Sequence, residues 1–300
     1  MDAELLIIGA GPAGLSAAIY AARAGLKTMV LGCKPKFAGD YDIDNYFGFP
    51  ETISGRELQE RGLAQAQRFG VATDCERVLG VHPLEDGTFE VKTEQRKLTA
   101  CAVILATGVS RVRPGISNLA DYEGKGVSYC VSCDGFFYRG KPVLVVGEAI
   151  FAANQALELT EYTKDVSICT QGKEPQFGAE FAAQITAAGI PVLTQKIASL
   201  EGAPGLERVV FADGAKREAY GLFVAMGEAS SSDFALTLGL ARDGQFITVD
   251  HEQRTNLPGI FAAGDCTGGF MQIAVAVGEG AKAGHAAISY VKKQCRGGKS

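Results

Sequence analysis

The stretch LLIIGAGPAG, residues 5–14, decides the fold of this 300-residue chain. Its first four residues predict a buried strand, and a GxGxxG motif follows directly and opens a segment with Ala and Leu at helical spacing. In this motif Gly9 allows a tight turn, Gly11 lets the backbone reach a pyrophosphate, and Gly14 lets the helix pack on the strand. Phosphates bind at such a helix N-terminus because its free N–H groups and its dipole favour negative charge. We therefore expect a dinucleotide site here; the alternative is a tight turn without a ligand.

The same order of strand, turn and helix recurs near residue 143, which indicates an internal duplication of the dinucleotide-binding module. A chain of 300 residues is also longer than one ordinary domain. The predicted fold class is α/β, with two Rossmann-like domains of which the second is inserted into the first. We assign residues 1–113 and 231–300 to the first domain and residues 114–230 to the inserted one, with linkers near both crossings.

Apolar runs and helical periodicity predict the other elements. Ser54 is expected to cap a helix, because Glu57 follows three residues later as in a capping box. The predicted strands are Thr28–Leu31, Phe89–Thr93, Ala102–Ala106, Val143–Val146, Val166–Cys169 and Gly259–Ala263, and the predicted helices are Gly14–Ala24, Leu58–Phe69, Ala152–Thr160 and Ala274–Tyr290.

The composition argues against several classes of protein. The formal net charge is −5 and no basic patch stands out, so no nucleic-acid partner is expected. No apolar run approaches the roughly 20 residues that cross a bilayer, and no signal-peptide pattern precedes the first strand, so we expect a cytoplasmic protein with no membrane partner. The eight cysteines of such a protein should be mostly reduced. Six of them are expected to be small buried fillers, namely Cys33, Cys75, Cys101, Cys169, Cys266 and Cys295.

The other two cysteines, Cys130 and Cys133, form a CxxC motif. On the first turn of a helix they can close a small disulfide ring, and the helix N-terminus lowers the pKa of a thiol and prepares it for attack. Two structural thiols or half of a metal site are the alternatives, but the chain has only 3 histidines and no second CxxC, so no metal is expected. Asp134 follows directly, where a carboxyl group could exchange the proton of the dithiol or only interact with the helix dipole.

Two distant segments point to FAD as the ligand of the first glycine motif. ATG, residues 106–108, ends one apolar strand, and TNLPGIFAAGD, residues 255–265, ends another with Gly-Asp. Together with the opening glycines they resemble the three flavin-binding segments of flavoproteins that have two dinucleotide domains. The second strand ends at Leu31-Gly32, without the usual acid for the ribose. The resemblance implies FAD contacts at Gly9, Gly11, Pro12, Ala13, Gly14, Ala106, Thr107, Gly108, Gly264 and Asp265.

The segment CVSCDGFFYRGK, residues 130–141, resembles the active-site region of low-molecular-weight thioredoxin reductases, and the resemblance extends over nearly the whole chain. It implies an FAD domain made from both chain ends, an inserted pyridine-nucleotide domain that carries the CxxC, thioredoxin as partner, and a homodimer. It also implies a large domain rotation that shows the dithiol alternately to the flavin and to thioredoxin. By the same resemblance Cys133 lies nearer the flavin, and Asn45, Gln272 and Ile273 contact it, although Met271 replaces the arginine of the family.

The inserted domain departs from the family at its nucleotide motif. In GEAIFA, residues 147–152, Ala149 adds a methyl where the backbone would meet the pyrophosphate, Phe151 adds bulk, and Glu148 adds a negative charge. One like-charge pair at about 5 Å costs roughly 3 kcal/mol at an effective dielectric of about 20, or some two orders of magnitude in affinity. After the next strand, TQGK at 170–173 replaces the arginines that clamp the 2′-phosphate of NADPH, and Lys173 alone is a poor substitute.

In these losses the sequence is similar to a subfamily of thioredoxin reductases that takes electrons from reduced ferredoxin. Ferredoxin is therefore the expected donor, with a reduced deazaflavin or a second flavin in the vestigial pocket as neighbouring possibilities. Candidates for a basic docking patch are Lys34, Lys36, Arg111 and Arg113. Two other functions stay open: an NAD(P)H-dependent thioredoxin reductase with a degenerate site, and a flavin-bearing redox sensor that does not turn over.

Overall fold

The structure is a computed structural model that describes residues 1–33, 35, 38–39, 42–109, 113–227 and 229–297. The chain divides into two compact units. Unit 1 comprises Met1–Ser110 and Ser230–Ser300, and unit 2 comprises Arg111–Ala229. Unit 1 is thus built from both ends of the chain, and unit 2 is inserted between them.

Strands and helices alternate in both units. The strands are β1 Ala3–Ile8, β2 Thr28–Leu31, β3 Asp42–Ile43, β4 Ile53–Ser54, β5 Ala72–Asp74, β6 Val78–Pro83, β7 Phe89–Thr93, β8 Lys97–Leu105, β9 Val127–Ser128, β10 Val143–Val146, β11 Val166–Cys169, β12 Val192–Leu193, β13 Ile197–Glu201, β14 Arg208–Phe211, β15 Lys216–Glu218, β16 Gly221–Val224, β17 Arg242–Asp243, β18 Phe246–Ile247 and β19 Ile260–Ala262. The helices are α1 Pro12–Arg23, α2 Gly55–Arg68, α3 Val131–Asp134, α4 Ile150–Leu159, α5 Gly178–Ala187, α6 Ser231–Thr237 and α7 Ile273–Gln294.

Most predicted elements are confirmed, and four predicted strands, β2, β7, β10 and β11, have the predicted bounds. Helix α2 begins three residues earlier than predicted because its first turn follows the cap directly. The cap itself is as predicted, since the Ser54 hydroxyl accepts a hydrogen bond from the Glu57 backbone N–H at 3.1 Å. Strand β8 also begins earlier than predicted, because its first residues pair with β7.

Unit 1 is built on a seven-stranded sheet with the order β5-β2-β1-β8-β7-β6, in which β19 also pairs with β8. Strands β1, β2, β5, β8 and β19 run parallel, whereas β6 and β7 are antiparallel. Buried side chains of β1 and β8 form one core with those of α1 and α7. The loops after β1, β8 and β19 therefore meet at one edge of the sheet, which is where open parallel sheets bind their ligands.

Unit 2 contains a five-stranded parallel sheet with the order β12-β11-β10-β16-β9. A second, three-stranded antiparallel sheet has the order β13-β14-β15. Residues from both sheets share one core, for example Leu144, Leu222, Ile197 and Val209. The two units thus use the same parallel α/β plan.

The turn after the first strand is the same in the two units. In unit 1 the N–H of Gly9 donates to Leu31 O at 2.7 Å, and a Cβ on Gly9 would lie 2.2 Å from Ala106 O. In unit 2 the N–H of Gly147 donates to Cys169 O at 2.9 Å, and a Cβ on Gly147 would lie 2.1 Å from Ala225 O. Both turns need glycine for the same close approach of backbones, so the two units carry the same module.

Two disulfides overturn part of the expectation for the cysteines. Cys33 bonds to Cys75, and Cys101 bonds to Cys295, so these four are not reduced fillers. The pairs are separated by 42 and 194 residues, and spacing along the chain gives no sign of them. They become neighbours because β2 pairs with β5 and because α7 packs against β8.

The expectation of buried thiols is confirmed for the two remaining cysteines, Cys169 and Cys266. Burial raises the pKa of both thiols, that of Cys266 to about 12. Such thiols stay protonated at neutral pH and are poor nucleophiles.

Two further features bear on the class of protein. Among the described helices, none combines the length and the apolar character that crossing a membrane requires. In the part of the chain that the structure describes, no group of three or more His, Cys, Asp or Glu side chains is arranged as a metal ion would need.

Helix α7 packs closely on α1 through glycine. A Cβ on Gly280 would lie 2.1 Å from Ala13 O, so an alanine there would push the two helices apart. We expect Gly280→Ala to lower the free energy of unfolding by about 1–3 kcal/mol, the cost of overpacking. Gly278 lies in the same helix with nothing within 4 Å of its added Cβ. Gly278→Ala should therefore raise stability by about 0.4–1 kcal/mol, since alanine restricts the unfolded chain. Urea unfolding of the two variants measures the difference; equal stabilities would contradict the packing.

Candidate functional site

The CxxC of unit 2 forms a disulfide at the start of a short helix. Cys130 is the N-cap of α3, and its sulfur accepts a hydrogen bond from the N–H of Cys133 at 3.2 Å. The two cysteines are bonded to each other, with their Cα atoms 5.3 Å apart. Cys130 is buried, whereas Cys133 is exposed. Of the two bonded cysteines, Cys133 is therefore the residue more accessible to solvent.

Asp134 is held next to this disulfide by a serine. The Ser128 hydroxyl donates to Asp134 Oδ2 at 2.6 Å, and Ser128 Oγ accepts from the N–H of Cys130 at 3.1 Å. This bridge connects the end of β9 to both ends of the CxxC turn. Burial and the negative charge of Asp134 raise the pKa of the nearby Tyr138 phenol, so that it stays neutral. Sequence reasoning missed Ser128, which no motif marks.

Two exposed aromatic residues follow the disulfide. The side chains of Phe136 and Phe137 are 59% and 67% exposed, respectively, and their rings meet edge to face with centroids 6.1 Å apart. The Arg139 guanidinium lies 4.6 Å from the centroid of the Phe136 ring. Large apolar side chains this exposed often mark a protein-binding surface. The surface formed by Phe136, Phe137 and Arg139 begins two residues after Asp134 in the sequence.

The glycine motif of unit 1 leaves room for a ligand. A Cβ on Gly14 would lie 1.9 Å from Gly9 O, so this glycine serves packing. A Cβ on Gly11 would meet only Pro35 Cβ at 3.9 Å, so nothing in the described chain requires glycine there. Helix α1 begins with Pro12 and Ala13, and no side chain caps the backbone N–H groups of its first turn. An uncapped N-terminus with open backbone in front of it fits a bound pyrophosphate.

The neighbouring loops complete this site. Thr107 lies between Ala106 and Gly108 after β8, and its buried Oγ1 has no hydrogen-bond partner in the structure. Buried hydroxyls without a partner are rare, and a ligand would satisfy this one. The Asn45 amide donates to Gln272 Oε1 at 3.0 Å, which brings two predicted flavin contacts together at the start of α7, where Ile273 is the first residue. These features fit the dinucleotide cofactor FAD.

The Gly-Asp loop after β19 is held by a carboxylate of α7. Glu279 Oε2 accepts from the N–H of Gly264 at 2.8 Å and from the Thr267 hydroxyl at 3.2 Å. Gly264 has a φ of +83°, and a Cβ there would lie 2.9 Å from Ala13 Cβ. Burial raises the pKa of Asp265, the next residue. Glu279 lies in the stretch GEGA, residues 278–281, and sequence reasoning did not assign it this role.

The corresponding site of unit 2 is closed by the chain itself. The N–H of Gln176 donates to Glu148 O at 2.6 Å, and Gln176 forms a parallel β-bridge with Ala149. Lys173 forms an ion pair with Glu148, whose side chain is only 10% exposed. The expected repulsion of phosphate by Glu148 is therefore largely neutralised. Lys173, the lysine that stands where the family clamps the 2′-phosphate, is thus already bound to a carboxylate.

The loop that follows β11 directs one of its polar side chains into the interior of unit 2. Gln171 is buried and has a φ of +54°. Its amide donates to Pro114 O at 2.7 Å, and its carbonyl accepts from the N–H of Ile197 at 2.6 Å. The side chain at this position thus serves the interior of unit 2. Of the four candidate docking cations, Arg113 is exposed, and Lys34, Lys36 and Arg111 lie outside the described residues.

A pair of dinucleotide-binding modules with a CxxC disulfide defines the class of FAD-dependent disulfide oxidoreductases. Comparison with known proteins agrees. Residues 3–280 match the family described as pyridine nucleotide-disulphide oxidoreductase. The thioredoxin reductase of Treponema pallidum is 35% identical over 97% of both chains, and that of Listeria monocytogenes is 32% identical over 97% of this chain and 94% of the other.

Solved structures give the same result. The atypical thioredoxin reductase TRi from Desulfovibrio vulgaris Hildenborough is 67% identical, with a TM-score of 0.96 over 97% of this chain and 98% of that one. A ferredoxin-flavin thioredoxin reductase from Clostridium acetobutylicum is 29% identical, with a TM-score of 0.72 over 97% and 98% of the two chains. The chain belongs to the pyridine nucleotide-disulphide oxidoreductase family, in its thioredoxin reductase branch, and FAD is its cofactor.

Glu279 offers a test of the flavin site that does not depend on turnover. Glu279→Ala removes two hydrogen bonds to the Gly264 loop, and bonds to a charged group are worth about 1.5–3 kcal/mol each. We expect FAD affinity to fall about tenfold, a loss of about 1.4 kcal/mol, because part of that energy is recovered when the loop relaxes. Fluorescence titration of the flavin-free protein with FAD measures the change. Lys282→Ala, at an exposed position of the same helix, is the matched control. Equal affinities of the two variants would contradict the role.

Proposed function

We propose that this chain reduces thioredoxin through the Cys130–Cys133 dithiol and receives its electrons from reduced ferredoxin. The observation that carries the donor assignment is the loop of unit 2 in which Lys173 is bound to Glu148 and Gln176 bridges to Ala149; we call it the engaged loop. The reductase step rests on the exposed CxxC disulfide and on family membership. The family resemblance also favours a homodimer, which sedimentation equilibrium would test.

The chemistry needs a carrier that exchanges electrons with both a protein donor and a disulfide. Bound FAD supplies this, because it can accept electrons singly and pass on a pair. The residues proposed to hold it in unit 1 are Gly9, Gly11, Pro12, Ala13, Gly14, Asn45, Ala106, Thr107, Gly108, Gly264, Asp265, Gln272 and Ile273. The amides at the start of α1 would bind the pyrophosphate, and the Thr107 hydroxyl would gain a partner.

Reduction of the CxxC consumes two electrons and two protons and yields two thiols. The resemblance implies that Cys133 lies nearer the flavin, but Cys133 is also the exposed cysteine of the pair, so we assign to its thiolate the attack on the thioredoxin disulfide that forms a mixed disulfide. Cys130 would then attack the Cys133 sulfur, releasing reduced thioredoxin and restoring the internal disulfide. Asp134, held by Ser128, is placed to exchange protons with the dithiol.

The exposed aromatic pair supports a protein substrate. Phe136 and Phe137 follow the CxxC closely, and a partner disulfide must approach the exposed Cys133. Exposed apolar rings that follow the CxxC this closely in the chain would be covered when the partner binds, and buried aromatic side chains with a nearby arginine are typical of protein interfaces. A flavin protein acting only as a sensor would not need this surface.

The donor assignment follows from what unit 2 lacks. The pyrophosphate of a pyridine nucleotide would meet the methyl of Ala149 and a chain crossing at Gln176. Its phosphate would also have to displace a carboxylate from Lys173. Ferredoxin needs no such pocket, since it delivers single electrons from its surface. The Clostridium neighbour named for ferredoxin and flavin has the same fold over nearly the whole chain.

The two cysteines are expected to behave differently in the exchange with thioredoxin. A Cys130→Ser variant keeps the attacking sulfur but cannot resolve the product, so it should accumulate a mixed disulfide with thioredoxin. A Cys133→Ser variant should still take electrons at FAD but fail to reduce thioredoxin. Non-reducing electrophoresis and thiol release measure these outcomes. Cys169→Ala, at a buried free cysteine, is the control; turnover by Cys133→Ser would contradict the relay.

The donor is tested by anaerobic titration of the flavin spectrum with NADPH, NADH and reduced ferredoxin in turn. We expect bleaching by ferredoxin alone, because Lys173 of the unit 2 loop is bound to Glu148 and the methyl of Ala149 covers the backbone that a pyrophosphate would approach. Rapid bleaching by NADPH would reject the proposal.

A variant that reopens the loop sharpens the same test. Glu148→Gly combined with Ala149→Gly frees Lys173 and bares the backbone, so NADPH affinity measured by calorimetry should rise at least tenfold, or about 1.4 kcal/mol. Glu174→Gln removes an exposed carboxylate from the same loop and should change nothing. If both variants bind NADPH as the parent does, the engaged loop is not what excludes it.

A further inference from the structure

The disulfide Cys33–Cys75 lies next to the flavin site of unit 1 and has no part in the proposed relay. Cys33 follows Gly32 after β2, and Cys75 follows Asp74 after β5. The two strands are parallel neighbours, with Leu31 opposite Asp74, and the Cα atoms of the two cysteines are 4.4 Å apart. The bond therefore joins two strand ends at the ligand-binding edge of the sheet.

This disulfide is coupled to the glycine motif through Gly32. A Cβ on Gly32 would lie 3.0 Å from Ala10 N and 3.2 Å from Gly9 Cα, so the backbones are in contact. The N–H of Gly9 donates to Leu31 O at 2.7 Å. Any change in the end of β2 is thus transmitted directly to the loop that would face the pyrophosphate. In dinucleotide folds the end of this strand also lies near the adenosine ribose, where an acid is usual and this chain has none.

Side-chain ion pairs anchor both neighbours of Cys75, whereas the described residue before Cys33 is attached to β5 by a backbone hydrogen bond, from the N–H of Gly32 to Asp74 O at 3.1 Å. Arg96 forms ion pairs with Asp74 at 2.5 Å and with Glu76 at 2.6 Å, one on each side of Cys75. Glu76 is buried and also accepts from the Thr93 hydroxyl at 2.7 Å. Opening the disulfide would therefore loosen the Cys33 side, which is the side in contact with the glycine motif.

The disulfide is accessible to a thiol. Cys75 is exposed and Cys33 is half-buried. In the other structural pair, Cys101 is fully buried in β8 and Cys295 is half-buried, so neither of its cysteines is as exposed as Cys75. Exchange requires a thiolate to reach one sulfur along the S–S axis, so the two pairs should differ strongly in rate.

We propose that Cys33–Cys75 is a second redox-exchange site, opened by a dithiol protein, and that its closed form retains FAD. In the first step a thiolate of the dithiol attacks the exposed Cys75 sulfur, forming a mixed disulfide and releasing the Cys33 thiolate. In the second step the other thiol of the reductant attacks the reductant sulfur that is bonded to Cys75, and the Cys75 thiolate is released. Two electrons and two protons pass from the dithiol to the pair, and the reductant leaves as a disulfide. This proposal rests on the proposed function in one respect: reduced thioredoxin, the product of the proposed reaction, is the dithiol protein that would open the disulfide.

The test uses a Cys130→Ser/Cys133→Ser background, so that a small dithiol cannot reach the flavin through the reductase disulfide. The holoprotein is equilibrated anaerobically with mixtures of reduced and oxidised dithiothreitol, alkylated, and mapped by mass spectrometry. Cys33 and Cys75 should become alkylated together, at ratios that leave Cys101–Cys295 intact. In parallel, FAD affinity is measured by fluorescence at each ratio. It should fall about tenfold on opening, because freeing about one backbone residue costs roughly that much.

Two variants complete the test. Cys33→Ser/Cys75→Ser should bind FAD like the reduced parent and should no longer respond to dithiothreitol. Cys101→Ala/Cys295→Ala should keep the response. The proposal is overturned if the Cys33–Cys75 disulfide resists reduction as strongly as the Cys101–Cys295 disulfide. It is also overturned if the affinity for FAD is the same with the Cys33–Cys75 disulfide open and closed. None of these measurements involves ferredoxin or thioredoxin, so they stand or fall independently of the donor and of the relay.

Discussion

The structure depends on one close approach of backbones, in which the turn after the first strand of each unit contacts the chain that leaves a neighbouring strand. In unit 1 this contact joins Gly9 to Ala106, and in unit 2 it joins Gly147 to Ala225. A side chain at either glycine would overlap a carbonyl oxygen, so the turn cannot form without glycine. The contact brings the loops after three parallel strands of unit 1 to one edge, and α1 begins there with uncapped amides. The flavin site is a consequence of that packing.

The two copies of the module diverged in what they offer to a phosphate. Unit 1 keeps open backbone at Gly11 in front of a helix N-terminus. Unit 2 has a methyl at the corresponding Ala149, a β-bridge from Gln176 to that residue, and an ion pair between Lys173 and Glu148. The second module therefore keeps the fold but differs from the first at the loop that would meet a phosphate, and it carries the disulfide Cys130–Cys133. This difference between the turns of the two modules is the physical basis for proposing a protein donor in place of a pyridine nucleotide.

The cysteines show how one residue type takes several roles according to its surroundings. An exposed sulfur on the first turn of a helix suits exchange with a protein, as at Cys133. A fully buried thiol such as Cys266 is held protonated and inert. The Cys33–Cys75 pair lies between these extremes, accessible yet in contact with the flavin loop through Gly32. Accessibility and neighbourhood, more than the sulfur itself, separate the three cases.

The sequence by itself determined the duplicated α/β plan, most strands and helices and the CxxC pair, because each rests on a local pattern: a glycine spacing, an apolar run, or two cysteines three residues apart. The flavin cofactor followed from the resemblance of three separate segments to those of known flavoproteins. Only the tertiary structure decided which distant residues meet. It paired Cys33 with Cys75 and Cys101 with Cys295, placed Ser128 beside Asp134, set Glu279 under the Gly264 loop, and joined Lys173 to Glu148. These contacts connect residues that no local pattern relates, since strand order and helix packing, and not chain spacing, bring them together.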